Sequence, residues 1–465
     1  MTSVPIALRS NPSRYTFSGS ARLLNAYAEQ QGEDAKKPYV VLPCPGMVSF
    51  SAVTDTPCRG MIYSDALDAI YTVHSSSVWK VNEAGTATYI GVIPGTDHVQ
   101  MSVNMAEQPQ IAIHTASGEF YVESDQVKEN EALDDFDNPF TVVSQDYGDG
   151  FTVFGSEDGR AVPSAANDVT DVDPADYFTA EQSADKLTRV KFDGDLYLMG
   201  QKTVEPWRLT SAGFEPIAGA TIKKGLVAPH GVVSCDNTLM WPTEDNLVVK
   251  LNGYNPVKIS THEVDRLLQA DADRTMVHGL SFSFQGHSFA NWTGSTWSRC
   301  YDAATQLIHE RQSYGQEFWR ARHSVRAWGR EIVGDTLTGN LYYLDGDTFT
   351  EGGNPLIWGL DTPVIHSFPN GGVVDAVHID INTGVGVITG QGSAPLLMLS
   401  WSVDGGLTFR GDRQLSLGAR GNAVRVTTRR LGRFGPKGII LRLRVSDPVV
   451  RAIVGMDIET RPLKK

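Results

Sequence analysis

The sharpest local motif in this chain is S-x-D-x-G-x-T-F, formed by Ser402, Asp404, Gly406, Thr408 and Phe409. In such an Asp box the carboxylate accepts turn N–H groups, the glycine supplies an unusual dihedral and the aromatic ring packs beneath. Boxes of this kind recur in sialidase blades as turns remote from the active site, so a single copy reads as a turn device. A glycoside hydrolase needs two carboxylates flanking a groove. With 54 acidic residues in the chain, spacing singles out no such pair. Asp168, Asp171, Asp173 and Asp176 could offer oxygen ligands to Ca2+, but the Gly and terminal Glu of an EF-hand loop are missing, and a solvated loop is the plainer reading. Histidines such as His98, His230, His278 and His323 form neither HExxH nor another paired ligand spacing, and read as turn or surface residues. GxSxG and the phosphate-binding G-x-x-x-x-G-K-[ST] are both absent. No catalytic residue, cofactor or metal follows from these motifs, and the expectation is a protein that is not an enzyme.

A different chemistry is written in the arginines. Residues 401–465 hold 14 Lys/Arg against 5 Asp/Glu, a surplus of nine positive charges on a chain whose formal net charge is -14. Alternation along RVTTRRLGRFGPKGIILRLR places Arg425, Arg442 and Arg444 on exposed strand faces, with Arg429, Arg430 and Arg433 beside them. Such charges either protect strand edges or form a protein–protein docking face, in which arginine is enriched. No stacking aromatics are interleaved with them, which argues against nucleic-acid binding. The opposite charge collects in residues 119–185, with 18 acids and 2 bases.

The elements that must position these residues are strands. Segments 68–81, 111–124, 190–201, 237–253, 281–292 and 339–346 each read as strand, tight turn, strand, rich in β-branched and aromatic residues. Repeated hairpins over more than 300 residues fit an all-β propeller-like body of 5–7 blades, six being the expected number, because radial repetition leaves only short edges. Two separate β-sandwiches are the alternative. Residues 1–50 read as an N-terminal arm with first strands, 51–360 as the propeller-like body and 361–465 as a β-sandwich-like domain. The acidic stretch 125–178 reads as an insertion. One helix is expected at 260–270, with Ser260 or Thr261 as cap and Glu263 at capping-box spacing. Cys44, Cys58, Cys235 and Cys300 show no metal spacing and read as free thiols. No apolar run approaches the length of a membrane span, and MTSVPIALRSNPSRY has no apolar signal core, so synthesis in the cytoplasm without a membrane anchor is expected.

Several segments in order, ARLLNAYAEQ, VVLPCPGMVSF, PCRGMIYSDALDAIYTVHSSSVWKV, FEPIAGATIKKGLVAPHGVVSCDNTLMW and TTRRLGRFGPKGIILRLRVSDPVV, resemble the packaged-DNA stabilisation proteins of short-tailed bacteriophages, also called tail accessory, hub or nozzle proteins. The resemblance spans about residues 20–455 and is weakest over 125–178. It implies a structural virion tail protein, made in the host bacterial cytoplasm. In such a protein a homo-oligomeric ring, a hexamer, extends the portal–adaptor channel, retains packaged double-stranded DNA and guides its ejection. It also implies an adaptor on one side and needle, plug, tailspike or fibre proteins on the other. In that setting Asp134, Asp135, Asp137, Asp168, Asp171 and Asp173 would form a lumen that repels DNA passing through it without sequence-specific binding. The six arginines named above would join subunits and neighbours. The rival expectations are a propeller glycosidase or carbohydrate-binding tail protein, and a cellular interaction propeller.

Overall fold

Tight two-residue turns organise the chain. Asp149–Gly150, Asp236–Asn237, Gln285–Gly286 and Trp328–Gly329 all have positive φ, the geometry whose twist matches paired strands. Each joins strands in register, for example Cys235 opposite Thr238 and Phe284 opposite His287. The computed structural model describes residues 2–15, 17–134, 136, 139–180 and 185–463. These hairpins build seven four-stranded antiparallel units. Their innermost strands are Cys58–Ser64, Gln100–Val103, Val142–Gly148, Leu187–Asp193, Val233–Cys235, His278–Phe284 and Ala321–Ala327.

The blades close into a ring because every neighbouring pair shares an apolar seam. Blades one and two meet through Tyr71, Val73, Ile111 and Phe120; two and three through Ala112, Phe154 and Val162. Blades three and four meet at Val153 and Val190, four and five at Tyr197, Met199 and Trp241. The helix His262–Ala270 packs Val264 and Leu268 into the seam of blades five and six. Phe282, Phe289 and Trp319 fill the next, and Val53, Ile70 and Ile332 bring blade seven back to blade one. Two innermost or adjacent glycines let blades approach. A Cβ at Gly155 would strike Leu187 and Val190, and one at Gly279 would strike Val233.

Two expectations need correction. The expected six blades are seven, within the range of five to seven. The missing blade is the supposed insertion, since residues 125–178 supply the outer strand Gln126–Glu129 of blade two and almost all of blade three, Val142 to Thr179. Its acidic composition hid an ordinary strand pattern, because acids such as Asp149 and Asp158 are exposed while Val153 and Ala161 are buried in the seam on one face of the blade and Phe154 and Val162 in the seam on the other. The helix is where expected, but Thr261 caps it by accepting from Val264 N at 3.4 Å. Glu263 turns away from the capping box to pair with Arg299.

The N-terminal segment is more than an arm. Gly46–Thr54 pairs with Gly339–Asp345 and supplies the fourth strand of blade seven, which locks the ring with sequence from both ends of the propeller. Upstream, Thr2–Val4, Ala26–Gln30 and Tyr39–Pro43 join Gly372–Ile381, Val426–Phe434 and Ile453–Pro462 in one sheet of a C-terminal sandwich. The facing sheet contains Arg22–Leu24, Trp358–Asp361, Ile440–Val445, Leu396–Ser402 and Arg410–Ser416. Leu23, Trp358, Leu360, Val377, Leu399, Leu441 and Leu443 fill the space between the sheets. This second sheet continues into blade six, because Leu24 also pairs with Glu310.

Candidate functional site

The arginines of the sandwich divide into two groups. Ile440–Val445 is an interior strand, with neighbours on both sides. Its alternate residues face away from the apolar core but not into open solvent. Arg442 holds Asp361 with both arms of its guanidinium, at 2.9 and 2.8 Å. The same guanidinium lies 3.5 Å from the ring centroid of Phe409. Arg444 reaches Asp361 at 3.0 Å. Burial lowers the Arg444 pKa, partly offset by Asp361. These two arginines, expected on an exposed docking face, are internal. The physical reason is the buried Asp361 opposite them, which the alternation of their own strand could not reveal.

They belong to a charged seam between propeller and sandwich. Arg22, on the sandwich side, donates to Glu310 of blade six at 2.9 and 2.6 Å. Ser10 donates to the same carboxylate at 3.0 Å. Arg299 bridges Glu310, 3.8 Å away, to Glu263 of the helix. Burial alone would push the Glu310 carboxyl up, but Arg299, Arg22 and Ser10 outweigh it and hold it down at about 2. A bidentate, fully hydrogen-bonded arrangement is what a buried ion network needs to offset desolvation.

The second group lies on edges. Val426–Phe434 ends one sandwich sheet and Arg410–Ser416 ends the other. Arg425, Arg429, Arg430 and Arg433 are exposed, as are Arg410, Arg413 and Arg420. Among the described residues Arg425, Arg429, Arg430 and Arg433 make no ion pair. Arg430 has φ 60° and sits where the register slips between Arg429 and Gly432, so the edge carries a bulge. Both features discourage indiscriminate strand pairing while presenting positive charge. The edge arginines are thus accessible, as expected.

The Asp box links the strands Leu396–Ser402 and Arg410–Ser416. Asp404 accepts from Leu407 N at 3.1 Å, Thr408 N at 3.0 Å and Thr408 Oγ1 at 2.5 Å. Ser402 Oγ donates to Asp404 at 2.6 Å and accepts from Gly406 N at 2.8 Å. These bonds, led by those from Ser402 and Thr408, pull the Asp404 carboxyl far below its ordinary range. All of its acceptor capacity goes to shaping the turn, and Phe409 supports Arg442.

The acidic candidates lie on the periphery of blades two and three. Asp134, Asp171 and Asp173 are exposed. Asp173 caps the turn Pro174–Asp176 by accepting from Ala175 N at 2.8 Å. Asp168 accepts from Thr170 N and Oγ1 at 3.0 and 2.7 Å. Asp135 and Asp137 lie outside the described residues. None of the four that are described lies on an innermost strand, so they do not line the propeller's own axis. Among the described residues no three His, Cys, Asp or Glu side chains are grouped so as to hold a metal ion. The four cysteines are free and buried. Burial pushes the Cys44, Cys58, Cys235 and Cys300 thiols up, away from nucleophilic thiolate character.

Sequence reasoning missed the histidines. His98 has its ring centroid 4.9 Å from that of His230, 5.9 Å from that of His278 and 5.6 Å from that of His323. These residues precede or begin innermost strands of blades two, five, six and seven, so the ring topology gathers them at one mouth of the axis. His278 is buried and His98, His230 and His323 are partly buried, so they form a cluster and do not stand singly on the surface, and no sequence spacing could have signalled this.

No curated protein matches the chain. Solved structures similar to it include a computationally designed protein, Ika8, with 9% identity and TM-score 0.40, covering 65% of this chain and 99% of that one. YCF48 bound to a D1 peptide has 10% identity and TM-score 0.40, over 65% of this chain and 97% of that one. The WD40 β-propeller domain of Doa1 has 12% identity and TM-score 0.39, over 64% and 96%. Two family models match in succession, the β-propeller of bacteriophage P22 Gp10 over residues 21–349 and its β-sandwich over residues 357–461. With both halves accounted for in order, the chain belongs to the bacteriophage P22 Gp10 family, the structural DNA-stabilisation and tail accessory proteins of short-tailed phages.

Proposed function

We propose that this protein is a subunit of a closed ring in the virion tail, a hexamer that extends the portal–adaptor channel, retains packaged DNA and guides its ejection. The observation that supports the ring most directly is charge segregation on a stiff two-part body. Exposed, unpaired arginines occupy the sandwich edges, and exposed acids occupy blades two and three. A heterologous contact between unlike patches closes a ring when its rotation permits. Complementary charge sets register and speeds encounter. The same arginines, on subunits at the end of a stack, would dock an acidic adaptor or needle, plug, tailspike or fibre protein. An overall net charge of -14 suits a conduit for DNA, since few phosphates would be neutralised along it. Immunogold labelling of purified virions with antibody to this protein tests the placement. Label at the tail is expected, and virions that carry label only on the capsid, or none, would refute it.

One observation favours a second reading, a glycan-active or glycan-binding tail protein. Asp236 and Glu331 line the same cleft of about 260 Å3, together with Ser234, Ser281 and Ser324. Burial raises the Glu331 carboxyl, as a general acid requires. Hydrolysis of host surface glycan by the protein, lost in Glu331→Gln, would establish that reading.

A further inference from the structure

The histidine mouth of the propeller has a chemistry that the tail role does not use. A cavity of about 330 Å3 opens there, lined by Arg59, His98, Arg322, Thr336, Ser75 and Thr96 among others. Three buried polar atoms in its lining have no hydrogen-bond partner, His98 Nδ1, Arg322 Nε and Thr336 Oγ1. His278 Nε2 and His323 Nε2, from the same ring cluster, are buried and unpartnered too. Buried polar groups are almost always paired, so the three in this lining are available to a bound molecule.

The charge says which kind. Arg322 forms no ion pair among the described residues, and burial lowers its pKa. Arg59 directs its guanidinium at backbone carbonyls of Asp97, Ser75 and Pro94. The one carboxylate of the lining, Asp97, is exposed at the rim. Burial first, and Arg322 next, bring His98 down to about 4. The mouth is therefore cationic and under-compensated, which disfavours a metal cation and favours an anion. Guanidinium N–H groups and a threonine hydroxyl are donors suited to phosphate oxygens.

We propose that this mouth binds a phosphate-class oxyanion, either inorganic phosphate or a phosphomonoester, through Arg322, Thr336 and His98. The inference does not depend on the ring. Neutral His98 donates from Nδ1 only as its Nδ1–H tautomer, whereas the imidazolium donates from both nitrogens and adds a positive charge, so binding should tighten as pH falls. The groups that face His98 and oppose or assist that protonation are Arg59, Arg322, His230, His278 and His323.

Isothermal titration of the full chain with inorganic phosphate at about pH 6 and again at about pH 5, a range in which phosphate stays chiefly the monoanion while His98 nears its folded value, tests this. Saturable binding, tighter at the lower pH, is expected. Arg322→Gln should weaken it by about ten-fold or more, the usual worth of a charge-assisted hydrogen bond. Thr336→Val is the second variant, should Arg322→Gln fail to fold, and should weaken binding by a smaller factor. Arg326→Gln alters an exposed side chain on the same strand and should leave binding unchanged. A nucleoside monophosphate that binds more tightly than inorganic phosphate would identify a nucleotide source for the same phosphoryl group. No saturable phosphate binding at either pH would overturn the proposal. So would equal affinity in Arg322→Gln and Thr336→Val, or zinc binding that phosphate does not affect.

Discussion

Two strands of the sandwich carry arginines only a few residues apart and put them to opposite uses. On Ile440–Val445, Arg442 and Arg444 are consumed by the buried Asp361. On Val426–Phe434, Arg429, Arg430 and Arg433 are exposed and make no ion pair among the described residues. The difference is the place of each strand in its sheet. An interior strand gives its side chains neighbours on both flanks and buries whatever charge it bears, so that charge must be matched within the fold. An edge strand leaves one flank open, and its charge remains free for another molecule.

The largest expected effect breaks the matched side. Asp361→Ala leaves two partly buried guanidinium groups without their buried carboxylate. It should destabilise the protein by about 3–5 kcal/mol in denaturant unfolding. If Asp361→Ala unfolds at the wild-type midpoint, the seam is not a structural joint.

The next effect sharpens the same contrast through acid. Glu310 is held near 2 in the fold against an ordinary value of 4.5. Its contribution is therefore complete above pH 4.5 and is lost as pH falls through the interval down to 2. The linkage amounts to an upper value of about 3 kcal/mol. Glu310→Gln should flatten stability over that interval, measured by urea midpoints at successive pH values. His98 works in a different window. Its folded value, about 4, lies below the ordinary 6.5. The unfolded chain takes the proton first, so stability falls as pH drops from 6.5 to 4. His98→Asn should remove part of that decline.

The smallest effect on stability belongs to the edge. Single changes such as Arg429→Ala should shift unfolding by no more than about 0.5 kcal/mol, as for other exposed sites. A large loss there would mean that these arginines serve the fold after all.

The sequence showed the all-β hairpins plainly, because alternating apolar residues and turn residues are local signals. It did not show how they close. Blade three was hidden by exposed acids such as Asp149 and Asp158, although Val153 and Phe154 keep the strand pattern between them. The locking strand Gly46–Thr54 joins a partner nearly 300 residues away, and nothing local marks that pairing. The Asp box was legible because its chemistry is contained in a few consecutive residues. Arg442 and Arg444 were misread because alternation tells which way a side chain points, not what waits there. His98, His230, His278 and His323 were misread for the related reason that only the ring brings them together.

The proposed ring is assembled by the unmatched edge arginines. Light scattering of the full chain, compared with Arg429→Glu/Arg430→Glu/Arg433→Glu, tests it most directly. The prediction is a closed-ring mass for the wild type that weakens with added salt, and a monomer mass for the triple variant with an unchanged unfolding midpoint. A triple variant that assembles to the same mass as the wild type would contradict it.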